Sequence, residues 1–182
     1  MYKLERILCP IDFSPASIEA IRFASFLANH ANSQLTLVYV DEYEKSPLGF
    51  FERNEHSLAQ HRENVAGFAQ AKFAEIMKQE SLSSQRTSTV VRFGTAYHEI
   101  IDVAEENRYS VVVIATEGLG RSSPHMIGRT AERVVRLCRT PVLTLRPRQE
   151  PGEWKIGTIL CPTDFSEYSN FAIPYAVSMA RS

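Results

Sequence analysis

Cysteine is scarce in this chain: it has three cysteines in 182 residues, and none of them belongs to a C-x-x-C pair. Their wide spacing argues against both a zinc site and a disulfide framework. Cys9 and Cys161 lie in apolar segments, where a cysteine usually serves as a small buried hydrophobe. His56 and His61 are poorly spaced for one face of a helix, so we predict no metal site.

Charge of one sign is not in excess, because 20 Lys and Arg residues face 21 Asp and Glu residues, for a net charge of -1. This balance argues against a broad basic surface that would bind nucleic acid through its phosphates. No apolar run approaches the roughly 18 to 20 residues of a spanning helix, and residues 1–6 do not lead into a signal-peptide core. We therefore expect a cytoplasmic protein that binds neither nucleic acid nor membrane.

Short β-branched runs alternate with longer helical patterns along most of the chain. The runs predict strands at residues 7–9, 34–40, 87–93, 110–115 and 141–145. Helical patterns are predicted after Ser14-Pro15, which suits a helix start, and at residues 55–79, 97–107 and 131–138. Strands separated by helices indicate an α/β fold with a parallel, doubly wound sheet. Ligands in such sheets bind at the carboxyl ends of the strands, so we expect a site after strands one, two and four.

The opening segment of the chain is repeated near its end. The run R-I-L-C-P-I-D-F-S at residues 6–14 returns as T-I-L-C-P-T-D-F-S at residues 158–166. We predict a complete domain at 1–146, a polar proline-bearing linker at 147–156 and a partial second repeat, one strand and one helix, at 157–182. A lone strand and helix cannot bury its apolar face. It is either the start of a truncated tandem protein or an element that packs on a neighbouring subunit.

A loop with three glycines follows the fourth strand. Gly118, Gly120 and Gly128 lie between the strand ending at Ala115 and the helix that begins after Gly128. Glycines let backbone amides approach an anion, and a helix N-terminus presents unpaired N–H groups, so the loop suits a phosphate. The glycines alone are equally consistent with tight turns. The loop is neither a Walker loop nor a dinucleotide fingerprint.

The pattern A-x-x-G-x9-G, formed by Ala115, Gly118 and Gly128, together with the following helix and strand and the opening I-L-C-P-I-D-F-S, resembles the universal stress protein family. The resemblance covers Leu4 to about Arg146, and then 157–182 as the start of another domain. It implies a five-stranded parallel sheet with helices on both sides and a homodimer, or a higher oligomer, that pairs through the last strand. Some members bind ATP through the glycine loop, and others lack the loop and do not bind ATP.

Carried over position by position, the resemblance implies a nucleotide site. Asp12 matches an acidic residue beside the sugar and phosphates, and Val40 matches the position whose backbone holds the adenine. Ala115, Gly118 and Gly128 match the small positions of the phosphate loop. Asp12 also suits a turn that bonds nearby backbone amides.

Two residues depart from the family pattern. Ala115 replaces a glycine, a change that the pattern tolerates. Arg129 replaces the serine or threonine that meets the terminal phosphates, and its guanidinium either pairs with phosphate or fills the pocket. A cation at a helix N-terminus is unfavourable without an anion nearby, which slightly favours phosphate. Thr130, shifted by one residue, offers a substitute hydroxyl.

The sequence therefore predicts a stress-response sensor or regulatory protein that binds ATP or another adenine nucleotide, with Mg or Mn as a possible companion ion. No residue set resembles a strong catalyst, so slow ATP hydrolysis is the most that we expect. The alternative is a dimeric interaction module whose phosphate loop has degenerated through Arg129. A related ligase or synthetase is disfavoured, because the first strand lacks an SGGxDS-type loop.

Overall fold

A five-stranded parallel sheet forms the centre of the structure, a computed structural model that describes residues 3–43, 55–118, 127–146, 152 and 154–181. The strands occur in the order β3-β2-β1-β4-β5, and every neighbouring pair is parallel. This confirms the predicted fold class. The strands are β1 (Arg6–Ile11), β2 (Gln34–Asp41), β3 (Thr87–Phe93), β4 (Val111–Ala115) and β5 (Val142–Leu145).

The strand order creates a switch point between β1 and β4. The chain proceeds outward from β1 through β2 to β3, then returns across the sheet to β4 and β5. Ile7 on β1 is paired both with Leu35 on β2 and with Val111 on β4. Loops after β1 and β4 leave toward opposite sides at such a point, so the carboxyl end of the sheet has a crevice there.

Helices cover both faces of the sheet. The described helices are α1 (Pro15–Ala31), α2 (Glu55–Gln79), α3 (Ala96–Glu106), α4 (Arg129–Leu137) and α5 (Glu167–Arg181). The predicted start of α1 is confirmed, because Ser14 is its N-cap and the Ser14 side chain accepts a hydrogen bond from the Ser17 amide at 3.2 Å. None of these helices combines the length and the apolar character that a bilayer-spanning segment requires.

Alternate residues of the strands build two separate cores. Ile7 and Cys9 face α1 and α2, where they pack with residues such as Ile21 and Phe73. Leu8 faces the opposite side, in the core formed with α3 and α4. This two-residue alternation is the side-chain period of a strand covered on both faces. Burial raises the pKa of the Cys9 thiol well above its ordinary value, which fits the predicted role of a buried hydrophobe.

The predicted strand of the second repeat is wrong. Residues 154–164 form no strand, and Leu160 is 88% exposed, although its counterpart Leu8 in β1 is fully buried. A strand exists only where neighbouring strands accept its backbone hydrogen bonds, and β1 has two such neighbours, β2 and β4. Among the described residues, the second repeat includes no counterpart of either strand. The predicted helix does form, as α5, whereas most of the predicted linker, 147–151 and 153, lies outside the described residues.

The turn before the helix has the same geometry in both repeats. Phe13 and Phe165 have left-handed φ angles of 63° and 64°. The Ser14 amide donates to Oδ1 of Asp12 at 3.0 Å, and the Ser166 amide donates to Oδ1 of Asp164 at 2.9 Å. Hydrogen bonds from Ser166 lower the pKa of Asp164 to about 2. The turn is therefore encoded locally, whereas the strand before it depends on its neighbours.

Candidate functional site

A cavity of about 580 Å³ opens at the carboxyl ends of β1, β2 and β4. It lies at the switch point of the sheet, between the turn after β1 and the N-termini of α3 and α4. Its volume is within the range of roughly 300 to 1,000 Å³ that is usual for small-molecule sites. This is the location that the strand-end rule predicts.

All the residues predicted for the site line this one cavity. They come from the turn after β1, from β2, from the end of β4 with its loop, and from the start of α4: Asp12, Val40, Ala115, Gly118, Gly128, Arg129 and Thr130. The middle of the glycine loop, residues 119–126 with Gly120, lies outside the described residues. The structure thus brings together positions that are distant in sequence.

One end of the cavity is apolar. Val38 and Val40 reach it from β2, and Ala96 and Ile100 reach it from the first turns of α3. Val38 and Ile100 also belong to one buried core, so the packing of that core holds both side chains in position. An apolar slot with rigid walls suits a flat, uncharged ring.

The opposite end is built by backbone groups at the two ends of the glycine loop. The carbonyl oxygen of Thr116 accepts from the Gly128 amide at 2.7 Å, and the Thr116 amide donates to the Leu145 carbonyl at 2.8 Å. These bonds fix the loop ends to each other and to β5. Gly128 is the N-cap of α4 and provides no side chain to cap it. The first amides of α4 have no partner within the helix, which leaves this end suited to an anion.

Asp12 stands between the two ends of the cavity. Its Oδ1 accepts from the Ser14 amide, so the predicted turn role is present in the structure. Its Oδ2 faces Gly118, where a Cβ atom would lie only 2.5 Å from that oxygen. Carbon and oxygen that are not bonded do not approach so closely, so position 118 requires glycine while Asp12 keeps this orientation.

The side chains that line the cavity carry more negative than positive charge. Among the described lining residues, the carboxylates of Asp12, Glu42 and Glu117 face a single guanidinium, that of Arg129. Arg129 is exposed and Thr130 is half-buried, both at the first turn of α4. An anion at this end would therefore meet the backbone amides and Arg129, with the carboxylates close by.

Sequence reasoning missed several lining residues, of which Glu42 is the most informative. Its Oε1 accepts a hydrogen bond from the Ala96 amide at 2.8 Å. Ala96 is the first residue of α3, and Thr95, at the N-cap position, makes no side-chain capping bond. Because Glu42 directly follows β2, the strand-end rule, which predicted a site after this strand, could have included it. Glu117, which follows β4 by two residues, could have been found in the same way.

A group of side chains with metal-ligating atoms lies outside the cavity. His98, Glu99 and Asp102 on α3 have ligand atoms within 4.8 Å of one another. His98 is exposed and lies 3.4 Å from Asp102, as expected for an i,i+4 pair on a helix surface. Such pairs form on solvated helices without a metal.

Sequence comparison finds related proteins over most of the chain. The model of the universal stress protein family matches residues 3–146. Universal stress protein Sll1654 of Synechocystis is 31% identical over 139 residues, which cover 76% of this chain and 83% of that protein.

Solved structures share the fold. Universal stress protein UspA from Lactobacillus plantarum superposes with a TM-score of 0.64 at 23% identity, covering 79% of this chain and 99% of the other. A universal stress protein solved in complex with cAMP superposes with a TM-score of 0.51 at 17% identity, covering 78% and 95%. Because the family model matches residues 3–146 and a curated relative is 31% identical over most of its length, this chain belongs to the universal stress protein family.

Proposed function

We propose that the chain binds ATP or another adenine nucleotide in the cavity at the switch point, and that it acts as a stress-response sensor or regulatory protein. The observation that carries the proposal is the cavity's polarity. An apolar slot at the end of β2 and an amide-rich helix N-terminus after β4 line the same space. A nucleotide has the same division into an apolar ring and an anionic tail. A relative in the family is known in complex with cAMP.

Each part of the nucleotide has a matching part of the cavity. The adenine enters the slot formed by Val38, Val40 and Ile100, with the backbone of Val40 at its edge. Asp12 stands beside the ribose. The phosphates meet the backbone amides of Gly118 and of the first turn of α4, where the helix dipole favours an anion.

The excess of carboxylates gives a divalent cation a role at the phosphate end. Asp12 and Glu117 line the cavity there and supply the oxygen ligands that Mg²⁺ prefers. A bound cation would offset their charge against the phosphates. The residues present therefore fit a nucleotide bound with Mg²⁺ or Mn²⁺ better than a free triphosphate.

Thermal unfolding in the presence of nucleotides tests the proposal. A ligand that binds only the folded state, at a hundred times its Kd, raises the free energy of unfolding by about 2.7 kcal/mol. We expect ATP with magnesium to raise the midpoint of unfolding and CTP to raise it less, because a pyrimidine fills the slot poorly. Extraction of the purified protein with acid should also release adenine nucleotide. A midpoint that no nucleotide shifts would refute the proposal.

A dimeric interaction module is the second candidate, and one observation favours it. Val135 and Leu137 are exposed on α4, which packs against the edge strand β5. An open strand edge beside apolar side chains favours pairing with a second copy. Light scattering at micromolar concentration tests this proposal: a dimer supports it, and a monomer excludes it. Binding of nucleotide by that dimer would show that the two functions coexist.

We also infer that residues 157–181 are a partial second repeat of the domain. The shared turn geometry supports this, and so do the helix positions: Ala20, Ile21, Ala24 and Ala28 of α1 correspond to Ala172, Ile173, Ala176 and Ala180 of α5. The first domain covers α5 only in part. Met179 packs against its core, but a groove of about 240 Å³ remains between α5 and the sheet, and Phe165 and Phe171 stay exposed.

A further inference from the structure

Glu42 places a carboxylate at the apolar end of the cavity. It follows β2 directly and lines the cavity together with Val40 and Ala96. The other walls at this end, Val38 and Ile100, are apolar. Glu42 is thus a charged acceptor beside the slot that suits a base.

The Glu42 carboxylate is held in one orientation by its bond to α3. Oε1 accepts from the Ala96 amide at 2.8 Å and so caps the helix, since the side chain of Thr95 makes no capping bond. A carboxylate at a helix N-terminus is also favoured by the helix dipole. The capping bond therefore positions the group before any ligand arrives, which lowers the entropic cost of a contact with it.

The capping bond uses one of the two carboxylate oxygens. A carboxylate is an acceptor with room for about four hydrogen bonds, so a ligand group that meets Glu42 must be a donor. An exocyclic amine on a purine ring is such a donor. A keto oxygen at the same ring position would instead face the negative charge of Glu42, and solvent moderates this repulsion because Glu42 is exposed.

We propose that Glu42 is a specificity-determining residue, which accepts a hydrogen bond from the exocyclic amine of the bound base and so selects 6-aminopurine over 6-ketopurine nucleotides. The inference rests on the proposed nucleotide function and adds the group that reads the base. It assigns Glu42 two roles, as the cap of α3 and as the reader of the amine.

Calorimetric titration with ATP and ITP, each with magnesium, tests the inference, because the two nucleotides differ only in the 6-substituent of the purine and in the hydrogen that the keto form carries on N1. Loss of a hydrogen bond to a charged group costs about ten-fold or more in affinity. We expect the wild-type protein to bind ATP at least about ten-fold more tightly than ITP. In Glu42→Gln the ratio should fall to about one or below, because the amide oxygen keeps the bond from the Ala96 amide and the amide nitrogen, a donor, replaces the free carboxylate oxygen.

Two controls separate base reading from loss of structure. Gln retains an oxygen for the Ala96 amide, so the unfolding midpoint of Glu42→Gln should stay close to that of the wild type. Glu75→Gln on α2 removes a carboxylate that pairs with exposed Lys72 outside the cavity, and it should leave the ATP-to-ITP ratio unchanged. Titration with 2′-deoxy-ATP shows whether Glu42 senses the ribose instead.

The outcomes distinguish this inference from the proposed function. Equal affinities for ATP and ITP, or an unchanged ratio in Glu42→Gln, would overturn the role of Glu42 and leave nucleotide binding intact. A Glu42→Gln effect confined to the ratio of ATP to 2′-deoxy-ATP would also overturn it. Failure of both ATP and ITP to bind would overturn the inference and the proposed function together.

Discussion

Asp12 and Gly118 approach each other so closely that a Cβ atom at position 118 would lie 2.5 Å from Oδ2 of Asp12. The contact joins the turn after β1 to the loop after β4, across the switch point of the sheet. It depends on the orientation of the Asp12 carboxylate. Oδ1 of Asp12 accepts a hydrogen bond from the Ser14 amide, which holds the carboxylate in place. This residue pair therefore brings the turn after β1 and the loop after β4 into close approach in the wall of the cavity.

Gly118→Ala should destabilise the protein, because the added methyl group must displace either Asp12 or the loop. Overpacking in a core costs about 1 to 3 kcal/mol of the free energy of unfolding, and we expect the lower limit here, because Gly118 is exposed and the displaced atom is the end of a side chain. Gly67→Ala is the matched control: Gly67 lies within α2, and a Cβ there would meet nothing within 4 Å. It should raise the free energy of unfolding by up to about 1 kcal/mol. Urea titration measures both, and equal effects would contradict the close approach at Gly118.

Arg129→Ala should weaken ATP binding more than AMP binding, because the guanidinium is the one positive side chain among the described cavity-lining residues and can pair with the terminal phosphates. A charge-assisted hydrogen bond is worth about 1.5 to 3 kcal/mol, and the exposure of Arg129 places the loss near the lower limit, about ten-fold in affinity. Arg136→Ala is the control, because Arg136 lies on the same helix, outside the cavity, and pairs with Glu132. Tighter ATP binding in Arg129→Ala would show that the arginine fills the pocket instead.

Ile21 and Ile173 occupy corresponding positions in the two repeats but differ in burial, at 0% and 43% exposure. Ile21→Ala should lower the free energy of unfolding by about 2 to 5 kcal/mol, as expected for a truncation in a packed core. Ile173→Ala should cost less than about 1 kcal/mol. Chemical unfolding of the two variants measures the difference. Similar losses would mean that α5 is buried in solution, against another part of the chain or a second copy.

The titration of Tyr39 should lower the free energy of unfolding at high pH. Burial, together with the nearby Asp41 and Asp12 carboxylates, raises the pKa of Tyr39 above its ordinary value. The unfolded chain therefore loses this proton first, and the stabilisation, fully present below pH about 10, is lost as the pH rises toward the folded pKa. Tyr39→Phe keeps the ring against Phe13, at 4.8 Å between centroids, and removes the proton. Its free energy of unfolding should fall less steeply above pH about 10 than that of the wild type, and parallel curves would contradict the prediction.

The sheet could be predicted from the sequence because its information is local. Runs such as the one at β4, Val111–Ala115, are apolar on both faces and are separated by helical patterns, which is enough to indicate parallel strands. The turn from Asp12 to Ser14 is equally local, and it forms again at Asp164 in a segment that lacks a sheet. The strand expected before Asp164 does not form, because pairing depends on neighbouring strands and none of the described strands pairs with this segment.

The end of the cavity at the glycine loop could be predicted from the resemblance, since Gly118 and Gly128 belong to one short pattern. The apolar end was harder to predict. Glu42 and Ala96 are joined by a bond between a side chain after β2 and the start of a helix after β3, a contact that no sequence spacing encodes. The order of the strands brings them together, and the sequence patterns alone do not specify that order.

Calorimetric titration of ATP with magnesium, into the wild-type protein and into Gly118→Asp, tests directly whether the cavity at the switch point binds a nucleotide. A carboxylate at position 118 would lie against Asp12 and face the phosphates, so it adds both a steric clash and a like charge. We expect saturable binding of one ATP per chain to the wild-type protein and none to the variant under the same conditions. Absence of binding to the folded wild-type protein, or equal binding to both proteins, would contradict a nucleotide site at this cavity.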